Sequence, residues 1–190
     1  MGQKKTFIVM GVSRGGTSLV AGCLSLMGVN IGDNVDEFSH EDRDFHGKSV
    51  EAIRGLIELK STQRDVWGWK YPHTHDFYFK IADTIVNPHL IFVFRDILAV
   101  ANAFKRHHDL ALEKGMREAW HRYGKTIAVA EKADCPKLYL SYEKCLREQN
   151  AYLDALAEFC DISLDDKTRG ALMEFITPGQ YTRLKHVGAD

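Results

Sequence analysis

The sequence predicts an α/β fold: a three-layer αβα arrangement around a central parallel sheet. Three observations carry this expectation. Short apolar runs alternate with amphipathic helical segments along the chain, a pattern that favours a parallel sheet with helices on both faces. The run His89-Leu90-Ile91-Phe92-Val93-Phe94 is apolar at consecutive positions, as an interior parallel strand should be. Finally, Gly11-Val12-Ser13-Arg14-Gly15-Gly16-Thr17-Ser18 lies between an apolar run and a helical pattern. Strand, glycine-rich turn, helix is the layout of a phosphate-binding loop, which makes the fold one of P-loop nucleotide-binding type.

The elements follow in order. Thr6 to Met10 is the first strand, and Leu19, Val20, Cys23, Leu24 and Met27 mark the first helix. Gly28 to Asn34 stops that helix and starts a loop. Residues 33 to 46 are strongly acidic and read mostly as a solvated loop or helix start. Val50, Ile53 and Ile57 give helical spacing over 47 to 60. Asp65 to Lys70 is a second strand ending in a cation, and Tyr71-Pro72 stops it. A helix over about 75 to 85 leads to the strand His89–Phe94. Asp96 is a natural N-cap for a helix over 97 to 108. Met116, Trp120, Tyr123 and Ile127 recur at helical spacing, predicting an amphipathic helix over 114 to 131. Pro136 precedes a fourth strand, Lys137 to Tyr142. Leu146, Leu153, Leu156 and Cys160 share one face of the helical stretch that follows, and a last helix over 165 to 176 ends before Pro178-Gly179. The tail from Tyr181 to Asp190 is polar. With no repeat or linker, residues 1–190 are expected to form a single domain.

Composition narrows the function classes. A net charge of −1 gives no global attraction to nucleic acid or to anionic membrane, so an anionic ligand must be held by a local cluster of cations. The four cysteines, Cys23, Cys135, Cys145 and Cys160, make no metal-binding spacing and read as buried thiols suited to a reducing cytosol. No segment reads as a signal peptide or a membrane span, so the expected location is cytoplasmic.

Parallel sheets bind ligands at the C-terminal ends of their strands. Arg14, Lys70 and Arg95 each follow a strand and so should meet there, as a ligand with several phosphate-like groups requires. The glycine loop is not a Walker motif. Gly11 and Gly16 have the Walker spacing, but Thr17 occupies the lysine position and the cation is Arg14, inside the loop.

Arg14-Gly15-Gly16-Thr17-Ser18 resembles the phosphosulfate loop of the sulfotransferases that use 3′-phosphoadenosine 5′-phosphosulfate (PAPS), closest to their compact bacterial-type members. Phe92-Val93-Phe94-Arg95-Asp96 is similar to the family's strand ending in Arg then Asp or Asn. Trp67-Gly68-Trp69-Lys70-Tyr71-Pro72 is similar to its strand ending in lysine near proline. Leu138 to Leu146 and His40 to Phe45 resemble two further elements, the second carrying an acidic residue that faces the acceptor. Two positions depart: Ile97 replaces a proline, and Ala103 replaces a serine that holds the 3′-phosphate. Asn102 and Arg106 stand nearby, and helical geometry favours Arg106 as the substitute. The glycine- and lysine-rich C-terminal loop of the larger members is absent.

The resemblance implies PAPS as co-substrate, no metal, and a small-molecule or glycan acceptor. It places Ser13, Arg14, Gly15, Gly16, Thr17 and Ser18 around the 5′-phosphosulfate, Arg95 on the 3′-phosphate with Arg106 beside it, and Arg14, Lys70 and Glu41 at the reaction. Glu41, His40, His46 and His73 are the candidate bases. Two other readings share the fold: a P-loop nucleotide or small-molecule kinase, and a non-catalytic protein that binds PAPS or its product PAP. The missing Walker lysine, and the lack of an apolar strand ending in a Walker B aspartate, argue against the kinase; Ala103 favours the binder.

Overall fold

The structure is a computed structural model and describes residues 4–177. Pro178-Gly179 and the polar tail lie outside the described residues. Four strands, β1 (Lys5–Gly11), β2 (Val66–Lys70), β3 (Pro88–Phe94) and β4 (Lys137–Ser141), form one sheet in the order β2-β1-β3-β4. Every pairing is parallel, with Phe7 opposite Gly68 on one side and His89 on the other. The sheet therefore grows from β1 in both directions, and the gap between the C-terminal ends of β1 and β3 is the topological switch point.

Helices cover both faces. One face packs Phe7, Val9, Ile91, Val93 and Leu140 against α1 (Thr17–Leu26), α7 (Gln149–Cys160) and α8 (Asp166–Ile176). The other packs Ile8, Met10, Trp67, Trp69, Leu90 and Phe92 against α2 (Val50–Gln63), α3 (Thr74–Ile81) and α5 (Leu112–Lys132). Consecutive residues of β3 thus enter opposite cores, which is why that run carries no polar residue after His89. A third small cluster, Val12, Val100, Phe104 and Ala119, joins the loop after β1 to α4 (Ile97–His108) and α5. Asp96 caps α4 as expected, accepting from the Ala99 amide at 2.8 Å. The short α6 (Tyr142–Arg147) divides the predicted helical stretch after β4.

Two expectations are corrected. The buried face of α5 is built from small residues, Gly115, Ala119, Thr126, Val129 and Ala130. Trp120 is instead 71% exposed and Ile127 is also exposed. A Cβ on Gly115 would lie 3.2 Å from Ala101, so close approach of α4 and α5, not large apolar volume, selects that face. The acidic stretch 33 to 46 is not mainly solvated. Asp42 is fully buried, and the Lys60 ammonium, 2% exposed, pairs with Asp33 (2.7 Å), Asp42 (3.0 Å) and Asp44 (3.6 Å).

His75, at the start of α3, is buried, and burial pushes its pKa down to about 4 despite the nearby Asp76 carboxylate. The folded state therefore holds a neutral imidazole. Its contribution to stability is complete above the ordinary histidine pKa of about 6.5 and is lost as pH falls toward 4, because only the unfolded chain takes up the proton. The denaturation midpoint should thus drop between pH 7 and pH 4.5 more steeply in the wild type than in His75→Gln. Parallel curves would exclude this histidine as a source of acid sensitivity.

Candidate active site

The loop from Gly11 to Gly16 turns sharply because its backbone is left-handed at Arg14 (φ 65°) and Gly16 (φ 91°). Gly16 has a second constraint. A Cβ there would fall 2.2 Å from the Tyr142 ring, so the loop can rest against Tyr142 only as glycine. The Arg95 guanidinium lies on the same ring, 4.5 Å from its centroid. Tyr142 thus packs against both the loop and the cation that follows β3. Arg95 Nη1 donates to the Arg14 carbonyl at 3.0 Å, which fixes the two cationic residues to each other. Tyr123 of α5 holds the Arg95 backbone from behind: its hydroxyl accepts from the Arg95 amide (2.9 Å) and donates to the Arg95 carbonyl (2.8 Å).

β2 delivers Lys70 to the neighbouring strand end. Its side chain is 3% exposed, and Nζ donates to Glu41 Oε1 at 2.7 Å and to the Ser39 carbonyl at 2.8 Å. Burial lowers the Lys70 pKa, with Arg14 acting in the same direction and Glu41 opposing. The other Glu41 oxygen lies 3.1 Å from His46 Nε2. The Ser18 hydroxyl also donates to the Ser39 carbonyl, at 2.8 Å. The loop after α1 is therefore tied to both the glycine loop and β2 through one backbone oxygen.

A cleft of about 750 Å³ opens between these groups. Ser13, Arg14, Gly16, Thr17, Ser18, Glu41, Lys70, Arg95 and Arg106 all line it. Ala103 lines it as well, whereas Asn102 does not. The positive groups face one another: Arg14 is the largest cause of a lowered pKa at His107, with Arg106 adding to it. Such crowding of cations favours a multiply charged anion between them. Gly15, the remaining loop residue, bonds its amide back to the Val12 carbonyl at 2.9 Å and shapes the turn from beneath.

The candidate bases separate. Glu41 lines the cleft, whereas His46 meets Glu41's far oxygen and the Tyr71 ring outside the cleft lining. His40 is fully buried, edge-on to Phe175 at 6.0 Å, away from the cleft. His73 lines a second cleft of about 510 Å³, bounded by Ser13, Phe104, His108, Leu110, Lys114, Glu118 and Arg122. Sequence reasoning missed Ser39, whose contribution is a main-chain oxygen and leaves no side-chain signal. It also missed Arg122, which pairs with Glu118 one turn away and reaches Ser13 Oγ at 3.4 Å. Among the described residues no cluster of metal-binding side chains occurs, and no helix is long and apolar enough to cross a membrane.

No family model and no curated protein matches the chain in sequence. Solved structures do match. The sulfotransferase domain from the Synechococcus PCC 7002 olefin synthase superposes with a TM-score of 0.65 at 14% identity, over 99% of this chain and 82% of that one. The fold is that of the sulfotransferases. The sulfotransferase domain from the curacin biosynthetic pathway gives 0.61 at 11% identity, over 88% of this chain and 77% of that one. Mouse sulfotransferase SULT7A1, solved in complex with PAP, gives 0.63 at 10% identity, over 93% of this chain and 65% of that one. Among the described residues the chain has four strands and eight α-helices.

Proposed function

We propose that the protein is a PAPS-dependent sulfotransferase acting on a hydroxyl or amine of a small-molecule or glycan acceptor. One observation carries the reading: Arg14, Lys70, Arg95 and Arg106, from four separate segments, line a single cleft at the switch point of a sulfotransferase fold. The cleft suits a ligand with two anionic ends. Arg95 Nε is buried with no hydrogen-bond partner, an orphan that a phosphate oxygen would satisfy. Gly16 lets the loop backbone lie against Tyr142, the ring that Arg95 also covers.

PAPS supplies the sulfuryl group. Arg14, the loop amides and the hydroxyls of Ser13, Thr17 and Ser18 hold the phosphosulfate, with the uncapped N-terminus of α1 behind them. Arg95 and Arg106 take the 3′-phosphate, Arg106 standing in for the hydroxyl that Ala103 lacks. Lys70 neutralises charge on the bridging oxygen as the sulfur–oxygen bond to the phosphate breaks. The acceptor oxygen or nitrogen forms the new bond to sulfur, its proton passes to Glu41, and PAP leaves. Cations occupy the role that magnesium plays in kinases, so the transfer is expected to need no metal.

The test is thermal stabilisation by nucleotides. PAP should raise the melting temperature well above ADP or ATP with magnesium, because only PAP engages both anion sites. Arg14→Ala and Arg95→Ala should each weaken PAP binding by about tenfold or more, the size of one charge-assisted contact. Equal stabilisation by ADP and PAP would remove the 3′-phosphate site from Arg95.

A further inference from the structure

The second cleft lies beside the first and shares Ser13 and His108 with it. At about 510 Å³ it is large enough for a small molecule. Its walls have two characters. Phe104 and Leu110 form an apolar side. Lys114, Arg122, His73 and His108 supply cationic or hydrogen-bonding groups, against one acid, Glu118. That acid is already engaged, bonded by Arg122 Nε at 2.6 Å. Nη1 of the same guanidinium reaches only the neutral Ser13 hydroxyl, at 3.4 Å, and its carbon stands 6.0 Å over the Phe104 ring. Lys114 has no ion-pair partner among the described residues and stands exposed at the start of α5. The turn between β2 and α3 separates the clefts, with Lys70 and Pro72 on one side and His73 on the other.

We propose that this cleft receives the acceptor, and that the acceptor carries an anionic group, a carboxylate or a phosphate, on a compact apolar body. The anion meets Lys114 and the free edge of Arg122, the body rests on Phe104 and Leu110, and the reacting hydroxyl points past Ser13 toward the donor loop. The acceptor assignment rests on the sulfotransferase reading. Recognition of an anion by the cleft stands on the cleft's own residues.

The probes are para-hydroxyphenylacetate and its neutral analogue para-hydroxyphenylethanol, which share the phenol and the ring. Binding is followed by calorimetry with and without PAP, and transfer by radiolabelled PAPS. With PAP bound, the carboxylate should bind about tenfold or more tightly than the alcohol, the contribution of one charge-assisted contact. Its kcat/KM should be higher by a similar factor, through KM. Lys114→Gln should reduce that preference to about threefold or less without affecting PAP binding, since this exposed lysine pairs with no charged group among the described residues. Arg122→Gln should reduce the preference to a similar extent.

Equal binding of acid and alcohol, binding of neither, or a preference that survives both substitutions would overturn the proposal. Stabilisation by PAP with no preference for the carboxylate would remove the acceptor class and leave the donor assignment standing. Carboxylate binding at this cleft in a protein that ignores PAP would do the reverse.

Discussion

Glutamine at position 41 is expected to lower sulfuryl transfer by about 10²–10⁴-fold, the usual contribution of a positioned general base. The substitution keeps the shape and the oxygen that Lys70 donates to at 2.7 Å, but the amide cannot accept a proton. PAP binding should change little, because a carboxylate at position 41 holds none of the phosphate groups in the proposed reading. A second readout separates proton transfer from positioning. If Glu41 acts only by holding Lys70, turnover falls but its dependence on pH keeps its shape. If Glu41 takes the proton, the acidic limb of the kcat profile disappears with the carboxylate. His46→Gln should have a smaller effect, because His46 meets Glu41 through its second oxygen, at 3.1 Å, and stands outside the cleft lining. Turnover of Glu41→Gln near the wild-type value would remove Glu41 from the chemistry and direct attention to His73.

Lys60→Met should be the most destabilising single change outside the two apolar cores, by about 3–5 kcal/mol, because it leaves buried carboxylate charge without a partner. Lys60 is the hub for Asp33, Asp42 and Asp44, and Asp42 is completely buried. Asp42 also caps the short turn Arg43–Phe45 by accepting from the Asp44 amide at 3.1 Å. Asp42→Asn in the Lys60→Met background removes the stranded charge and keeps an oxygen for the cap. The double variant should therefore recover a substantial part of the loss. Urea denaturation of the wild type and the two variants measures this, and a Lys60→Met loss below about 1 kcal/mol would place the pair in the class of ordinary surface bridges. The hub also anchors the segment carrying Ser39 and Glu41, so surviving Lys60→Met protein should turn over slowly.

The sheet and the strand-end cations were legible because each leaves a local mark. An interior parallel strand is apolar at successive positions, and Arg14, Lys70 and Arg95 each follow such a run. The cleft's finer construction leaves no such mark. Tyr142 follows an apolar strand and looks like a capping turn, yet its ring packs against both the glycine loop and Arg95. The acidic stretch around Asp42 looks solvated until Lys60, many residues away on a helix of mixed polarity, is folded onto it. α5 misleads for the opposite reason. Its large apolar residues mark a helical face, but the packed face is the small one, because α4 comes too close for anything larger.

The Ser39 carbonyl behaves as a surrogate ligand. It already accepts from Ser18 Oγ and Lys70 Nζ, two of the donors that an incoming anion would recruit. Binding is thus a substitution in which one acceptor leaves as another arrives, and the measured affinity is a difference between two satisfied states. A tighter contact at Ser39 would weaken substrate and product together, whereas a looser one would slow the departure of PAP. On the proposed reading, the chain's own oxygen would act as a competitor of fixed concentration for those two donors.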